Sequence, residues 1–401
     1  ITKIIFAGER NIPVDIFLMI DKSLSMAEYK NPLDDWLKEL PEKAELSRRA
    51  WLEIKYTPAG ENEETDISED VSKYLISMSY TDNLSDAADD VTITLEDRAQ
   101  LWMEDWFPEG EGSMLDITIH TYNRISLKDG EAVFHVGKFE IDEVEITGYP
   151  ATVQIKAVSV LGDSSLRGTK KNQTWEEISV WKCAADICER NGLSLLWDCD
   201  ENPNLDHVEQ ADESDLAFLL QICKDHGMSL KIMAEQIVIF DDAKYEAQAP
   251  IITVYKPGVK AELDDNTMPL RWLTGYSMRS KTRDTYWKCH VKYQKGEEKE
   301  VIEGEFAAPD REKGRVLYVR EQVEDTAEAE RLAKKKLREA NKEAVTGSFS
   351  TLGNTNFAAG TVLQLKNFGK FDGKYLMTKV EHSVTTSYTT TVEIRRCLDG
   401  Y

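Results

Sequence analysis

From Arg48 onward the apolar and polar positions alternate. "RRAWLEIKY", "YLISMSYT" and "DVTITLED" each place apolar residues at every second position. A period of two is the mark of a strand with one face buried. The polar stretch "DNLSDAAD" turns the chain between the second and third of these. "MLDITIHTYN", "AVFHVGKFEIDEVEIT" and "ATVQIKAVSV" continue the pattern, separated by "KDG" and "GYP". Short strands at this spacing predict a barrel or a sandwich.

At Thr174 the period changes. "TWEE" has the form of a capping box, in which the Thr174 hydroxyl accepts from the Glu177 amide and the Glu177 carboxylate reaches back. Trp175, Ile178, Trp181, Ala185 and Cys188 then recur every three or four residues, and Gly192 is placed to stop a helix. The strand "LSLLWD" follows. A second helical stripe is Leu216, Leu219, Leu220 and Cys223, stopped by Gly227 and followed by the strand "MSLKI" and its hairpin partner "EQIVIFD". Residues 172–250 therefore read as a small α+β domain.

The alternating pattern returns after about residue 268. "LTGYSMRSKTRDTYWKCHVKYQ" reads as a hairpin and "EKEVIEGEF" as a further strand. One long helix interrupts them, Asp325 to Val345, with acidic residues early and Lys334, Lys335 and Lys336 later, as the helix dipole favours. Its inner stripe, Ala329, Leu332, Ala333, Leu337 and Ala340, is small enough for close packing on the second β domain. The C-terminal stretch is strand after strand. Residues 1–47 fit neither period. "NPLDDWLKELPEKAELS" sets prolines at both ends of a short helical stretch, which suggests an arm or extension.

Two internal repeats organise these elements. "ICERNGLSLLW" (Ile187 to Trp197) aligns with "ICKDHGMSLKI" (Ile222 to Ile232): a small buried residue, a polar helix end, a glycine stop, then a strand. On a larger scale, "GKFEIDEVEITGYPATVQIKA" (Gly137 to Ala157) echoes "GKFDGKYLMTKVEHSVTTSYTTTVEIRR" (Gly369 to Arg396). "ISMSYTDN" loosely echoes "YSMRSKTR" in the same order. The expected fold class is mainly β with an α+β insert: two related β-barrel domains, 48–171 and 251–401, flanking the α+β domain 172–250.

Composition narrows the function. The chain has 401 residues and a formal net charge of −24, from 73 acidic and 49 basic residues. Such a surface repels phosphate backbones and anionic lipid, so tight nucleic-acid binding and membrane-surface binding are disfavoured. The apolar run "DIFLMI" is far short of the roughly 20 residues that span a bilayer, and no signal-peptide pattern precedes it. The six cysteines form no CxxC pair and no dense framework. They are expected as reduced, buried thiols of a protein made in the cytosol.

Candidate chemistry is sparse. Cys223 and His226 stand three apart, which sets them on one helix face. Their counterparts in the first repeat are Cys188 and Asn191, so a helix end, not a nucleophile with its base, is the expected role. Asp215 and Asp225 nearby also oppose a thiolate. "DCDENPNLDHVE" has the ligand spacing of a calcium loop, with Glu209 at its twelfth position, but Pro203 stands where that loop needs glycine. Carboxylate pairs are too common here to nominate a glycosidase acid and base. Trp102, Trp106, Trp175 and Trp181 have core spacing rather than the pattern of a sugar platform. No catalytic, cofactor-binding or metal-binding residue is nominated, and the chain is expected not to be an enzyme. The rival readings are a peptidoglycan hydrolase and a sugar-binding β module.

Several stretches together carry a family resemblance: "ADDVTITLEDRAQLWMEDWFPEG", "GKFEIDEVEITG", "SSLRGTKKNQTWEEI", "VEQADESDLAFLLQICKDHGMSLKI", "LAKKKLREANKEAVTGSF" and "FGKFDGKYLMTKVEHSV". In this order, over about 48–401, the chain resembles the late control gene D family, the baseplate hub proteins of contractile phage tails. These are relatives of the hub part of type VI secretion spike proteins. The resemblance brings no catalytic residue and no cofactor. It implies a homotrimer whose six barrels surround a channel. That ring would join the sixfold tail tube protein to the threefold central spike protein, touch other baseplate proteins, and let DNA pass. The implied location is the tail baseplate of a phage or phage-tail-like particle, assembled in the host cytoplasm.

Overall fold

A computed structural model describes residues 49–401, apart from 62, 86, 99, 101, 103–111, 124–129, 160–165, 167, 234–235, 257–266, 269–272 and 296–299. The arm expected over 1–47, the turn "KDG" for the most part, and Trp106 lie outside the described residues.

The first alternating region gives strands β1 (Arg49–Thr57), β2 (Thr65–Asp66), β3 (Leu75–Asn83), β4 (Asp90–Glu96), β5 (Met114–Tyr122), β6 (Glu131–Thr147) and β7 (Thr152–Val158), with helix α1 (Ser68–Tyr74) before β3. They pair in the order β3-β4-β7-β6-β5-β1-β2. Alternation works as expected. Leu52 and Ile54 of β1, Val91, Ile93 and Leu95 of β4, and Leu115, Ile117 and Ile119 of β5 point into one core.

The insert follows as β8 (Lys170–Ser179), α2 (Val180–Arg190), β9 (Ser194–Asp198), β10 (Asn204–Ser214), α3 (Asp215–Asp225), β11 (Ser229–Met233), β12 (Gln236–Phe240) and α4 (Asp242–Ala247). Here the structure corrects the expected capping box. Thr174 and Trp175 lie in strand β8, which pairs with β10. The helix begins five residues later, at Val180. Its cap is Ser179, whose Oγ accepts from the Lys182 amide at 3.3 Å. Ser214 does the same for Ala217 in the second copy, also at 3.3 Å. Trp175 is buried by stacking on Phe218, ring centroids 5.1 Å apart. Its helical spacing to Ile178 and Trp181 was incidental, and Trp181 is 43% exposed.

The repeat therefore reaches further than the sequence match. Strand, serine cap, eleven-residue helix, glycine stop and strand occur twice. Glu177 and Asp212 both kink the entering strand with positive φ, 48° and 53°. Both helices end alike: Leu193 donates to the Cys188 carbonyl at 2.9 Å, and Met228 to that of Cys223 at 2.8 Å. Gly192 and Gly227, at φ 68° and 69°, make that reversal without steric cost. β12 then pairs with both second strands, parallel to β9 and antiparallel to β11.

The rest of the chain supplies β13 (Ile252–Tyr255), β14 (Thr267–Met268), β15 (Leu273–Ser280), β16 (Tyr286–Lys295), β17 (Glu300–Ala307), β18 (Arg315–Val319), α5 (Thr326–Asn341), β19 (Val345–Leu352), β20 (Val362–Lys366), β21 (Gly373–Val384) and β22 (Tyr388–Arg396). Two expectations fail here. "LTGYSMRSKTRDTYWKCHVKYQ" is no hairpin: β15 pairs with β19, while β16 pairs with β17 and β18 in a separate three-stranded sheet. Helix α5 packs on that small sheet. Ala329, Ala333 and Leu337 share a core with Cys289, Val291 and Ile302. The alanine stripe was legible, but its partner was not. Gly304 of β17 shows how close the packing is, since a Cβ there would stand 2.5 Å from the Ala329 backbone.

The larger repeat appears as a shared pairing order. The second set runs β15-β19-β22-β21-β20-β13-β14, as the first runs β3-β4-β7-β6-β5. Register sharpens the match. Gly137-Lys138-Phe139 corresponds to Gly373-Lys374-Tyr375, not to the nearby Gly369-Lys370-Phe371. Lys138 pairs with Asp116 of β5, and Lys374 with Gln364 of β20. Each sheet then carries a bulge, between Ile141 and Glu143 and between Met377 and Lys379. Val144-Glu145-Ile146 thus corresponds to Val380-Glu381-His382. Met78 corresponds to Tyr276 and Tyr80 to Met278, two residues off the sequence echo and so on the same face. The fold class is mainly β with an α+β insert. The two sheets join through β3 and β21 into one 14-stranded sheet.

Leu219 is fully buried in the insert core, while Leu216 and Leu220 are only partly covered. Leu219→Ala is expected to cost roughly 2–5 kcal/mol in denaturant titration. His226→Asn, which repeats the Asn191 helix end, is expected to stay within about 0.5 kcal/mol of the parent.

Candidate functional site

The structure separates Cys223 from His226. Cys223 lies in the insert core, where burial pushes its thiol far above the ordinary range, with Cys199 and Cys183 adding to the effect. His226 closes helix α3 and lines a cavity of about 230 Å³ between the insert and α5. Burial lowers its pKa, and Lys335 and Lys336 add to the effect. A thiol held neutral and a histidine facing elsewhere do not make a nucleophile and base.

The calcium-like run is dispersed as well. Asp198 and Asp200 both bind Lys244, at 3.0 and 2.8 Å. Asn202 accepts from the Trp181 amide at 3.0 Å, and the Pro203 carbonyl accepts from Val180 at 3.0 Å. The remainder is strand β10. Among the described residues no group of three or more His, Cys, Asp and Glu side chains is arranged to hold a metal ion.

Buried charge gathers instead where the units meet. Lys231 of β11 reaches out of the insert to Asp82 of β3, accompanied by Asp89 at 3.4 Å. It also donates to the Asn83 carbonyl at 2.8 Å. The second oxygen of Asp82 accepts from the Ala359 amide of the second sheet region at 2.7 Å. One carboxylate thus ties three units together. Burial pushes Asp89 up to about 6 although Lys231 opposes it. Burial works against the Lys231 charge, but Asp82 and Asp89 hold its pKa above the usual value.

A second joint centres on Arg395 of β22, which pairs with Asp242 at 2.8 Å and with Glu246, both in α4. Glu246 also takes Arg338 of α5 at 2.7 Å and the Leu398 amide at 2.8 Å. Between the two joints runs an apolar seam of Leu84, Val238, Phe240, Val362, Leu376 and Cys397.

The third joint is the β3–β21 ladder, where Asp82 faces Val380 and Tyr80 faces His382. His382 is fully buried and stacks on Tyr80 at 5.9 Å. Its Nε2 donates to the Phe357 carbonyl at 3.2 Å, so Nδ1 is the acceptor for the Tyr388 hydroxyl at 2.7 Å. Burial lowers its pKa to about 4. None of these residues was nominated from sequence. Asp82 is one of 73 acidic residues, and nothing local marks it.

Two like sheets fused edge to edge and cross-braced by an insert through buried ion pairs make a braced β scaffold. A tail protein from Neisseria meningitidis MC58 has a similar fold: TM-score 0.60 at 12% identity, over 87% of this chain and 97% of that one. A chain of the Francisella PdpA–VgrG complex is similar at TM-score 0.52 and 11% identity, over 92% of this chain and 56% of that one. The chain belongs to the phage tail baseplate hub (GPD) family, whose model matches residues 148–388. A probable baseplate hub protein of Escherichia phage 186 is 26% identical over 180 residues, 43% of this chain and 42% of that relative. The chain thus matches less than half the length of that relative.

Two outcomes test the joints. Lys231→Met strands Asp82 and Asp89 in a buried seam, and is expected to cost about 3–5 kcal/mol in equilibrium unfolding. His382 stays neutral when folded, whereas the unfolded chain takes up its proton below about 6.5. Its contribution is therefore full above pH 6.5 and falls by roughly 3 kcal/mol as pH drops toward 4. Asp89 has the opposite sign, since its raised pKa favours the folded state as pH falls through about 6. Comparing unfolding of the parent with His382→Gln between pH 7 and 4 isolates the histidine. The parent should lose more stability over that range.

Proposed function

We propose that this chain is the structural hub of a contractile phage tail or phage-tail-like particle, working as a homotrimeric ring. The observation that carries the reading is the repeated sheet, with the same strand order, the same bulge and the same register in both halves. A chain with two like modules presents six similar positions when three copies close a ring. Such a ring matches a sixfold tail tube protein on one side and a threefold central spike protein on the other, with other baseplate proteins outside. The division into an arm (1–47), two hub domains (48–171 and 251–401) and the insert (172–250) belongs to the same reading. So does α5, which braces the second half through its own small sheet.

The role is mechanical, not catalytic. Buried ion pairs fix how the insert sits on both sheets, which suits a part that must carry load without changing shape. The net charge of −24 suits a channel through which DNA slides. A cationic lumen would hold phosphates at many contacts, whereas a repulsive one lets them pass. The site of action is the tail baseplate of the virion, after assembly in the host cytoplasm.

Reconstruction of the particle tests this. Three hub copies and an acidic lumen are expected. A different copy number, or a lumen lined mainly by Lys and Arg, would falsify the ring. On a peptidoglycan zymogram the purified chain is expected to leave no clearing, and it should show no duplex binding near physiological salt.

A further inference from the structure

The sheet repeat leaves two strand edges unmatched. Inside the chain, the outer edge of β3 pairs with the distal half of β21, from Lys379↔Asn83 to Val384↔Met78. The counterpart of β3 is β15, and the counterpart of the distal half of β21 is Glu143–Thr147 of β6. Among the described residues, the ladder of β15 runs only to β19. Likewise, among the described residues, Glu143–Thr147 pairs only with β7, because the ladder of β5 on β6 ends at Glu140, opposite Met114. An uncovered edge is a row of unpaired backbone donors and acceptors, ready for another strand.

We propose that β15 of one copy pairs antiparallel with Glu143–Thr147 of a second copy, in the register that β3 and β21 use within the chain. The number of copies rests on the ring reading above; the edge pairing does not.

Transferring the register sets Glu143 opposite Lys281, Glu145 opposite Arg279, and Ile146 opposite Met278. The two acidic residues of one edge thus meet the two basic residues of the other. Within the chain the same places hold Lys379 opposite Asn83 and Glu381 opposite Thr81. Directly opposed unlike charges stabilise a strand pair, and a slip by one residue would break both contacts and reverse the faces. Glu145, Arg279 and Lys281 form no ion pair among the described residues, and all three are exposed. Glu143 holds Lys156 at 2.7 Å on its own sheet and sits at the edge of the patch.

Burial points the same way. At the internal junction Met78 and His382 are fully buried. Their counterparts are Tyr276, 46% exposed, and Ile146, 37% exposed. These are apolar positions at which the equivalent ladder excludes water and this one, in a single chain, does not. A β3-type edge at one end and a β21-type edge at the other also make the contact head-to-tail, the kind that builds rings.

The test uses full-length chain in assembled tails. Glu145→Cys with Arg279→Cys, oxidised and run without reductant, is expected to give a covalent band at three chains, absent from either single variant. Glu143→Lys with Glu145→Lys should abolish incorporation of the hub, as should Arg279→Glu with Lys281→Glu. All four changes together should restore it, which separates lost pairing from misfolding. Three copies per particle without the cross-link, or incorporation untouched by either reversal, would overturn the edge pairing and leave the ring. A cross-linked ladder running past three chains would support the pairing and overturn the ring.

Discussion

Strand β3 is hydrogen-bonded along both edges, to β4 in its own sheet and to β21 in the other. The remaining architecture is arranged around this ladder. It fuses two sheets that have separate cores into one surface. Val384 and Tyr388, from the second half of the chain, close the core of the first. A ladder of this kind fixes distance, direction and register at once, because a slip by one residue turns every side chain to the wrong face. Two domains linked only by a flexible connector would have none of these constraints.

Asp82 adds the third direction. It sits on the shared strand, takes Lys231 from the insert and accepts the Ala359 amide from beyond the ladder. Buried ions add little net stability over apolar packing, yet removing one partner is costly. Their contribution here is to specify one arrangement of three units. Arg395 repeats the device on the other side of the insert, with Asp242 and Glu246. The apolar seam between the two joints supplies burial and the ions supply position.

The two halves have diverged where their surroundings differ. Where β21 has His382, locked between Tyr388 and the Phe357 carbonyl, β6 has Ile146. Where β3 has Asn83 and Thr81, β15 has Arg279 and, one residue past its end, Lys281. The internal junction is covered as the chain folds: Met78 and His382 are fully buried there, and Lys379 and Glu381 face the neutral Asn83 and Thr81. The edges that have no partner strand among the described residues carry charges of opposite sign, Glu143 and Glu145 on one and Arg279 and Lys281 on the other.

Much of the fold is legible along the chain. Alternation at "DVTITLED" and "MLDITIHTYN" marks β4 and β5, since a half-buried strand must alternate. The stripe ending at Cys223 and Gly227 marks α3, because a helix end needs its glycine stop whatever surrounds it. The echo around Val144-Glu145 and Val380-Glu381 reveals the duplication. These are local constraints, and local sequence records them. Other features were settled by contacts between residues far apart. Thr174 to Glu177 has the form of a helix cap and lies in a strand, because Trp175 must reach Phe218 and β8 must pair with β10. The stretch after Leu273 looks like a hairpin, but β15 joins β19 and β16 joins a separate sheet under α5. The joints at Asp82, Lys231, Arg395 and His382 left no trace, since a carboxylate or a histidine carries no period. The sequence by itself determined most of the strand and helix segments and that the pattern occurs twice. Only the tertiary structure decided which edges meet and which charges are buried, because long-range pairing depends on register and burial in space, which no short stretch of chain encodes.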